Sequence, residues 1–468
     1  MIRGMGYRPV SLLNSRAGSP CHCRPVNRRR KHILILVENL PLPFDRRVWQ
    51  EACALRDAGY RVSAICPMLK GYTRPYEELE GVHIYRHPLP TADAQTAKGY
   101  AREYGLALWH QSRLAWRIYR TDPFDAIHAC NPPDLLFLVA LPFLPLGVRF
   151  LFDHHDINPE LFEVKFGRKR WTKRLLYRMV VLAERLTFFF SRRASIATNQ
   201  SYKRIAVERG HMDPRRVFVV RSAPDLRKFV AAAPNAARWK RGRKYLVGYL
   251  GTIGPQEGLH FLVEAAEHLK KARPHNDIGW LVIGDGPTRR DVVELAKRKG
   301  LEDDIAFPGR LDDPTMIEAL CTCDVCLNTD LATEMNDKST MNKIIEYMAL
   351  GRPIVQFDLT EGRVSAGLSS VYARQNDPID LAERTVELLE NPTLRRQMGE
   401  YGRRRVEEKL AWRYSVPILL DAYETLFGHG VVRRAKELDA EHVTAKSDRA
   451  PAEAADGEGP KLAGSVVA

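Results

Sequence analysis

The 468-residue sequence predicts an α/β protein of two doubly wound parallel-sheet domains facing each other across a cleft. Three observations carry that expectation. Short, unbroken apolar runs such as Ile33-Leu34-Ile35-Leu36-Val37 and Trp280-Leu281-Val282-Ile283 recur along the chain, and runs of this length suit strands covered on both faces. They alternate with helix-period stretches closed by glycine, the pattern of β-α-β units. The series breaks once, at Ala-Ala-Ala-Pro-Asn-Ala-Ala-Arg-Trp-Lys-Arg-Gly-Arg over 231–243, and then begins again. A chain this long also exceeds one ordinary core.

In the first series, strands are expected at 31–37, 60–66, 82–86, 126–129, 149–152, 195–198 and 217–220. A helix over 46–58 is capped by Asp45 and stopped by Gly59. In the second series, strands are expected at 245–250, 280–283, 305–307, 325–328 and 353–357, with helices over 260–271, 291–300 and 341–350. The domains are therefore set at 31–225 and 244–411, joined by a linker over 226–243. The run 135–152 is apolar enough to raise a membrane span, but Pro142, Pro145, Gly147 and Arg149 make it a helix, a turn and a strand. A basic arm over 1–30 and an Ala/Glu/Asp/Lys/Gly-rich tail over 434–468 are expected to be disordered.

The net charge of +15 is unevenly placed. Residues 1–31 carry eight Lys or Arg and no acid, and 165–193 carry ten against the single Glu184, so the remainder is slightly acidic. That excludes a uniformly basic nucleic-acid binder, and no nucleic-acid partner is expected. Within 165–193, Trp171, Leu175, Met179, Leu182, Leu186 and Phe190 recur at helical spacing, while Arg170, Arg174, Arg178 and Arg185 fall on another face. Such a helix can lie on an anionic membrane surface. An ordinary surface helix packed on the first domain is the competing reading. The eight cysteines show no secreted pattern, and Cys321, Cys323 and Cys326 lack the second ligand pair of a metal site. Reduced thiols and a cytoplasmic location, peripheral on the inner face of the plasma membrane, are expected, with no bound metal.

Residues able to do chemistry concentrate at the ends of these elements. Gly284-Asp285-Gly286-Pro287 succeeds a buried run and precedes a helix, where glycine lets backbone amides approach a phosphate. Asn342-Lys343-Ile344-Ile345-Glu346-Tyr347-Met348-Ala349-Leu350-Gly351 reads as a helix closed by glycine. Lys343 and Glu346 stand at i, i+3 and share a face; a carboxylate there can accept both hydroxyls of a ribose, and an ammonium can meet a diphosphate. In the first half, Asp153-His154-His155-Asp156 ends a strand, and strand carboxyl ends open on the cleft. His155 beside Asp156 can orient hydroxyls or carry a proton near neutral pH, and a buried histidine serving only the turn is the alternative. Asp156 and Glu160 either bind an acceptor or cap the next segment of chain. Arg47, with the free amides of its helix start, either binds an anionic group such as an acceptor phosphate or is a solvated charge.

Pro43-Phe44-Asp45-Arg46-Arg47-Val48, Glu51-Ala52, His155-Asp156, Gly251, the 284–287 loop, Phe307-Pro308-Gly309, Asp324-Val325, the 346–353 segment, Asn376-Asp377-Pro378 and Met398-Gly399 through Trp412 occur in this order. In this the sequence resembles the family 4 glycosyltransferases of the GT-B fold over roughly 31–428. The resemblance implies two Rossmann-like domains and retaining transfer of a sugar from a UDP-, GDP- or dTDP-sugar to a glycan or lipid-linked acceptor, in cell-surface or exopolysaccharide synthesis. It implies no tightly bound cofactor, and a last helix over 412–428 that crosses back to the first domain. It also implies donor-site places for Gly251, Thr252, Gly284, Asp285, Gly286 and Glu346, and a place near the transferred sugar for His155. The sequence departs from the family where a paired glutamate is usual, since Lys338 stands there, and where an Arg and a Lys usually grip the diphosphate, since Thr252 and Glu257 stand there. Lys338 and Lys343, with loop amides, are the candidates for that grip. The competing classes are a nucleic-acid-binding or scaffold protein using the basic arm, which leaves Glu346 and the glycine loops unexplained, and a sugar-nucleotide epimerase or phosphorylase on the same fold. A dinucleotide dehydrogenase is disfavoured, because Glu38-Asn39-Leu40-Pro41 stands where a Gly-x-Gly-x-x-Gly turn would succeed the first strand.

Overall fold

A computed structural model of the chain describes residues 29–89, 97–167, 170–227, 229–273 and 277–428. The arm expected over 1–30, but for its last two residues, and the tail expected over 434–468 lie outside the described residues. The first sheet holds β1 (His32–Val37), β2 (Arg61–Pro67), β3 (Tyr76–Leu79), β4 (Val82–His87), β5 (Ala126–Cys130), β6 (Arg149–His154), β7 (Ser195–Ala197) and β8 (Val217–Val219). Their order is β3-β4-β2-β1-β5-β6-β7-β8, and every pair is parallel except the β3–β4 hairpin. The second sheet holds β9 (Tyr245–Leu250), β10 (Ile278–Ile283), β11 (Ile305–Gly309), β12 (Val325–Asn328), β13 (Ile354–Phe357) and β14 (Ser370–Ala373). It is parallel throughout, in the order β11-β10-β9-β12-β13-β14.

Unbroken apolar runs became strands because both faces of each sheet are covered. In β1, Ile33, Ile35 and Val37 enter one core, with Leu55 of helix Arg46–Asp57 and with the last helix, Trp412–Phe427. Leu34 and Leu36 enter the opposite core, with Ala115 and Ile118 of helix Ala97–Thr121. Alternation at period two thus feeds two apolar layers, and a half-polar strand would fail here. The last helix does cross back, burying Leu419, Ala422, Tyr423 and Leu426 against the first sheet. Phe229 and Trp239, from the stretch read as a linker, pack into the second domain's core. The 135–152 run resolves into a helical turn, a 3-10 turn closed by left-handed Gly147, and β6. Among the described residues, no helix is long and apolar enough to cross a membrane. Cys321, Cys323 and Cys326 are buried free thiols filling the second core.

Candidate functional site

The carboxyl end of β6 carries Asp153, His154 and His155 to the mouth of the first domain. Asp153 is fully buried and gathers Arg47 Nη2 at 3.0 Å, His128 Nε2 at 3.3 Å and His155 Nε2 at 2.6 Å. Arg47 also lies 3.0 Å from Glu51 and donates to the Val220 carbonyl at 2.8 Å, while His128 Nδ1 stands 2.7 Å from the Tyr423 hydroxyl of the last helix. Burial opposes ionisation of Asp153, but Arg47 and His155 hold its carboxyl well below the usual range. Burial pushes the Glu51 carboxyl well above that range, against the pull of Arg47. One carboxylate therefore balances one guanidinium. Glu51, His128, Cys130 and Asp153 present ligand atoms within 4.8 Å of one another, a set that would suit a metal. Arg47 already places its positive charge among them, and burial keeps the Cys130 thiol protonated by pushing it up.

His155 brings this network to the cleft. Its side chain is 14% exposed, its Nε2 donates to Asp153 with Arg47 Nε 2.9 Å away, and its Nδ1 has no partner among the described residues. Asp156 beside it is half-buried, and burial raises its carboxyl pKa. His154 is wholly buried among Phe152, Phe188 and Tyr202, a packing residue.

Two of the expected acceptor-side residues are corrected. Arg47 is buried, with its donors spent on Asp153, Val220 and Ser222. Both oxygens of the buried Glu160 accept from Arg209, at 2.7 and 3.0 Å. Neither offers a free group to an acceptor; both brace the first domain. At the end of β1, Glu38 is buried with Oε1 unpartnered, and burial raises its pKa to about 8.

In the second domain the floor of the site is backbone. β9 and β10 end at Gly251 and Gly284, with φ of 153° and 143°. A Cβ on Gly284 would lie 1.8 Å from the Gly251 carbonyl oxygen, and one on Gly286 would lie 2.5 Å from the Ile253 oxygen. The two loops are laced together by Ile253 N–H to Asp285 O at 3.1 Å and Thr288 N–H to Ile253 O at 3.0 Å. The glycines thus allow loop to pack on loop. The expected cradle of Gly284 and Gly286 amides is corrected: these donate to Gly309 O and to Asp285 Oδ1, and the Gly251 amide to Ile283 O. Thr252 is exposed, as Asp285 is, and its amide has no protein partner among the described residues.

Helix Asn342–Ala349 lies against this floor. The buried Lys343 ammonium stands 2.9 Å from Asp330 Oδ1 and 3.4 Å from the Tyr249 hydroxyl, and its Cε is 3.2 Å from where a Gly251 Cβ would be. Burial opposes that charge, but Asp330 and Tyr249 raise it above lysine's ordinary value. Glu346 has a side chain 16% exposed, and burial raises its pKa. Its carboxylate is 3.5 Å from Arg46 Nη1, and Arg46 Nη2 bonds Asp313. Lys338 lies 2.6 Å from Glu334 and 3.8 Å from Glu160, while its carbonyl accepts from Asn199 Nδ2; it ties the two domains together.

The structure therefore gathers Gly251, Thr252, Gly284, Asp285, Gly286, Lys343 and Glu346 at the carboxyl end of one sheet, and His155 and Asp156 at that of the other. Sequence reasoning missed Arg46, Asp330 and Tyr249. Asp330 carried a signal: it lies two residues past β12, the end of the sheet to which β9 brings Gly251. A depression of about 560 Å³ lined by Arg352, Arg395, Arg396 and Arg403 opens instead beside Asp324 and Pro353, at the amino ends of β12 and β13, remote from this chemistry.

Residues 45–223 match the family model of the glycosyl transferase 4-like domain, and residues 244–391 that of glycosyl transferases group 1. The chain belongs to the group 1, family 4 glycosyltransferases. The 2-deoxystreptamine glucosyltransferase of Streptomyces kanamyceticus is 23% identical over 80% of this glycosyltransferase and 97% of that relative. The sucrose-phosphate synthase of Thermosynechococcus elongatus superposes with a TM-score of 0.67 at 17% identity, over 85% of this chain and 99% of that one. Anabaena HepE, solved with UDP-glucose, superposes with a TM-score of 0.60 at 16% identity, over 84% and 99%. The shared fold is GT-B, two Rossmann-like domains.

Proposed function

We propose that this glycosyltransferase moves a sugar from a UDP-, GDP- or dTDP-sugar to a glycan or lipid-linked acceptor, with retention of configuration, in cell-surface or exopolysaccharide synthesis. The observation that carries the reading is Glu346, a carboxylate at the cleft on the helix whose Lys343 meets Gly251, held by nothing more permanent than exposed Arg46. The HepE structures with UDP and UDP-glucose support a nucleotide-sugar donor. In this reading the ribose hydroxyls displace Arg46 from Glu346, and the freed guanidinium meets the incoming diphosphate together with the Thr252 amide. Lys343 adds little net charge, since Asp330 balances it, and instead fixes the floor beneath the phosphates. His155, its ring locked by Asp153 and Arg47, lines the sugar's side of the cleft. The sugar–phosphate C–O bond breaks, the acceptor oxygen bonds the same carbon on the same face, and the departing phosphate oxygen takes the acceptor's proton. The Arg46 guanidinium and the Thr252 amide stabilise the charge that develops on the leaving group.

Thermal shift and nucleotide-release assays with a panel of UDP-, GDP- and dTDP-sugars test the reading; stabilisation by none, with no nucleotide released, would reject it. Glu346→Ala should weaken donor binding about 100-fold, the loss of two hydrogen bonds to a charged group. Because the Glu346 pKa is raised and the carboxylate is the binding form, donor affinity should fall as pH drops, beginning above the ordinary carboxylate range.

A further inference from the structure

We infer that helix Trp171–Phe190 is a docking surface for an anionic lipid bilayer. Its inner face is fixed to the first domain: Glu184, Thr187 and Phe188 are buried, Glu184 receives Arg209, Thr187 donates to the Asp134 carbonyl, and Phe188 packs edge-on against Phe152 and His154. Its outer face is apolar. Trp171 is 77% and Met179 58% exposed, and Leu175, Leu182, Leu186 and Phe189 are exposed with them. Steps of three or four residues place these six in one stripe. A folded surface rarely leaves so many large side chains contiguous in water without a partner.

The charge says which partner. Arg170, Arg174, Arg178 and Arg185 are exposed alongside the stripe, and Arg192 lies 4.2 Å from the Phe189 ring. The helix's one acid, Glu184, is buried and neutralised. Apolar side chains flanked by cations, with no exposed carboxylate on the helix, complement an acyl layer bounded by anionic headgroups. A second copy of this chain would bring its own arginines against these. The placement also suits a membrane-borne acceptor. Glu184 is level with His154, the last residue of β6. Trp171, thirteen residues earlier, therefore extends about 20 Å past the carboxyl end of the first sheet, the end that carries His155 and Asp156.

Flotation of the full chain with phosphatidylglycerol-containing vesicles, against pure phosphatidylcholine vesicles, tests the inference. The chain should float with the anionic vesicles only, and release as salt rises. Arg170→Glu, Arg174→Glu and Arg178→Glu together should weaken partitioning at least 100-fold. Trp171→Ser with Met179→Ser should weaken it at every salt concentration. Both variants change exposed positions, so their unfolding midpoints and donor hydrolysis should match the parent. Vesicle binding that survives both variants would assign it to the basic arm at 1–31 and overturn the inference. So would equal binding to neutral vesicles, no binding at all, or a solution dimer that the Trp171 and Met179 substitutions dissociate.

Discussion

The two domains hold their halves of the candidate site by different means. In the first domain charge holds it: Arg47, Asp153 and His128 are buried and fix one another and His155 at the cleft, and Tyr423 of the last helix anchors the set. In the second domain backbone holds it: the Gly251 and Gly284 loops touch where no side chain fits, and Lys343 with Asp330 underpins them. A charge network positions a ring through partners drawn from several elements. A glycine floor ignores pH and tolerates no added carbon.

The sharpest break of this contrast is Gly284→Ala. A methyl group 1.8 Å from the Gly251 oxygen forces the loops apart, so the second domain should lose more than about 4 kcal/mol in urea unfolding. Gly300→Ala, at φ 63° but with open space around it, should cost only about 1 kcal/mol. Equal costs would show that backbone conformation, not loop contact, is decisive.

Next in size, Asp153→Asn strands the Arg47 charge and should cost about 3–5 kcal/mol at neutral pH, whereas Glu51→Gln, which replaces an already neutral group, should cost under about 1 kcal/mol. The folded pKa of Asp153 is depressed, so its stabilisation is full above the unfolded carboxyl value and is lost as pH falls through the folded one. The reverse ranking would move the buried charge to Glu51.

Glu38 gives a smaller effect of opposite sign. Its folded pKa of about 8 lies above the ordinary glutamate value of 4.5, so its contribution is intact below pH 4.5 and drains away as pH rises to about 8. Glu38→Gln should therefore unfold like the parent in acid and gain a few kcal/mol over it by pH 8. A constant difference between the two across that range would place Glu38 in contact with water.

The smallest expected effect is Arg46→Ala. Calorimetry should show nucleoside diphosphate binding about tenfold weaker and nucleoside binding unchanged or tighter, since Glu346 loses a competitor. Equal weakening of both ligands would place Arg46 at the nucleoside rather than at the phosphates.

Strands buried on both faces were legible because each is an unbroken apolar run, as β1 and β10 are. The short strand β3 at one edge of the first sheet, with alternating exposure, and β14, half-buried at one edge of the second, were not legible because neither carries such a run. Glu346 was legible from its helix and the motif around it. Arg46 was not: consecutive residues of a helix point about 100° apart, and nothing in Asp45-Arg46-Arg47 says which guanidinium turns inward.

The amino-acid sequence by itself determined the two series of buried strands and helices, and the carboxylate and histidine near their ends, because burial periodicity and glycine stops are local properties of the chain; the return of the last helix to the first domain followed only from the family resemblance. Only the tertiary structure decided how those residues are used. The Gly284 loop serves loop packing because Gly251 lies against it, Lys343 is neutralised because β12 brings Asp330 to it, and Arg47 is buried because β5 and β6 converge on its helix. Each of these depends on a partner on another element, 13 residues away for Lys343 and 106 for Arg47, and spacing along the chain carries no record of it.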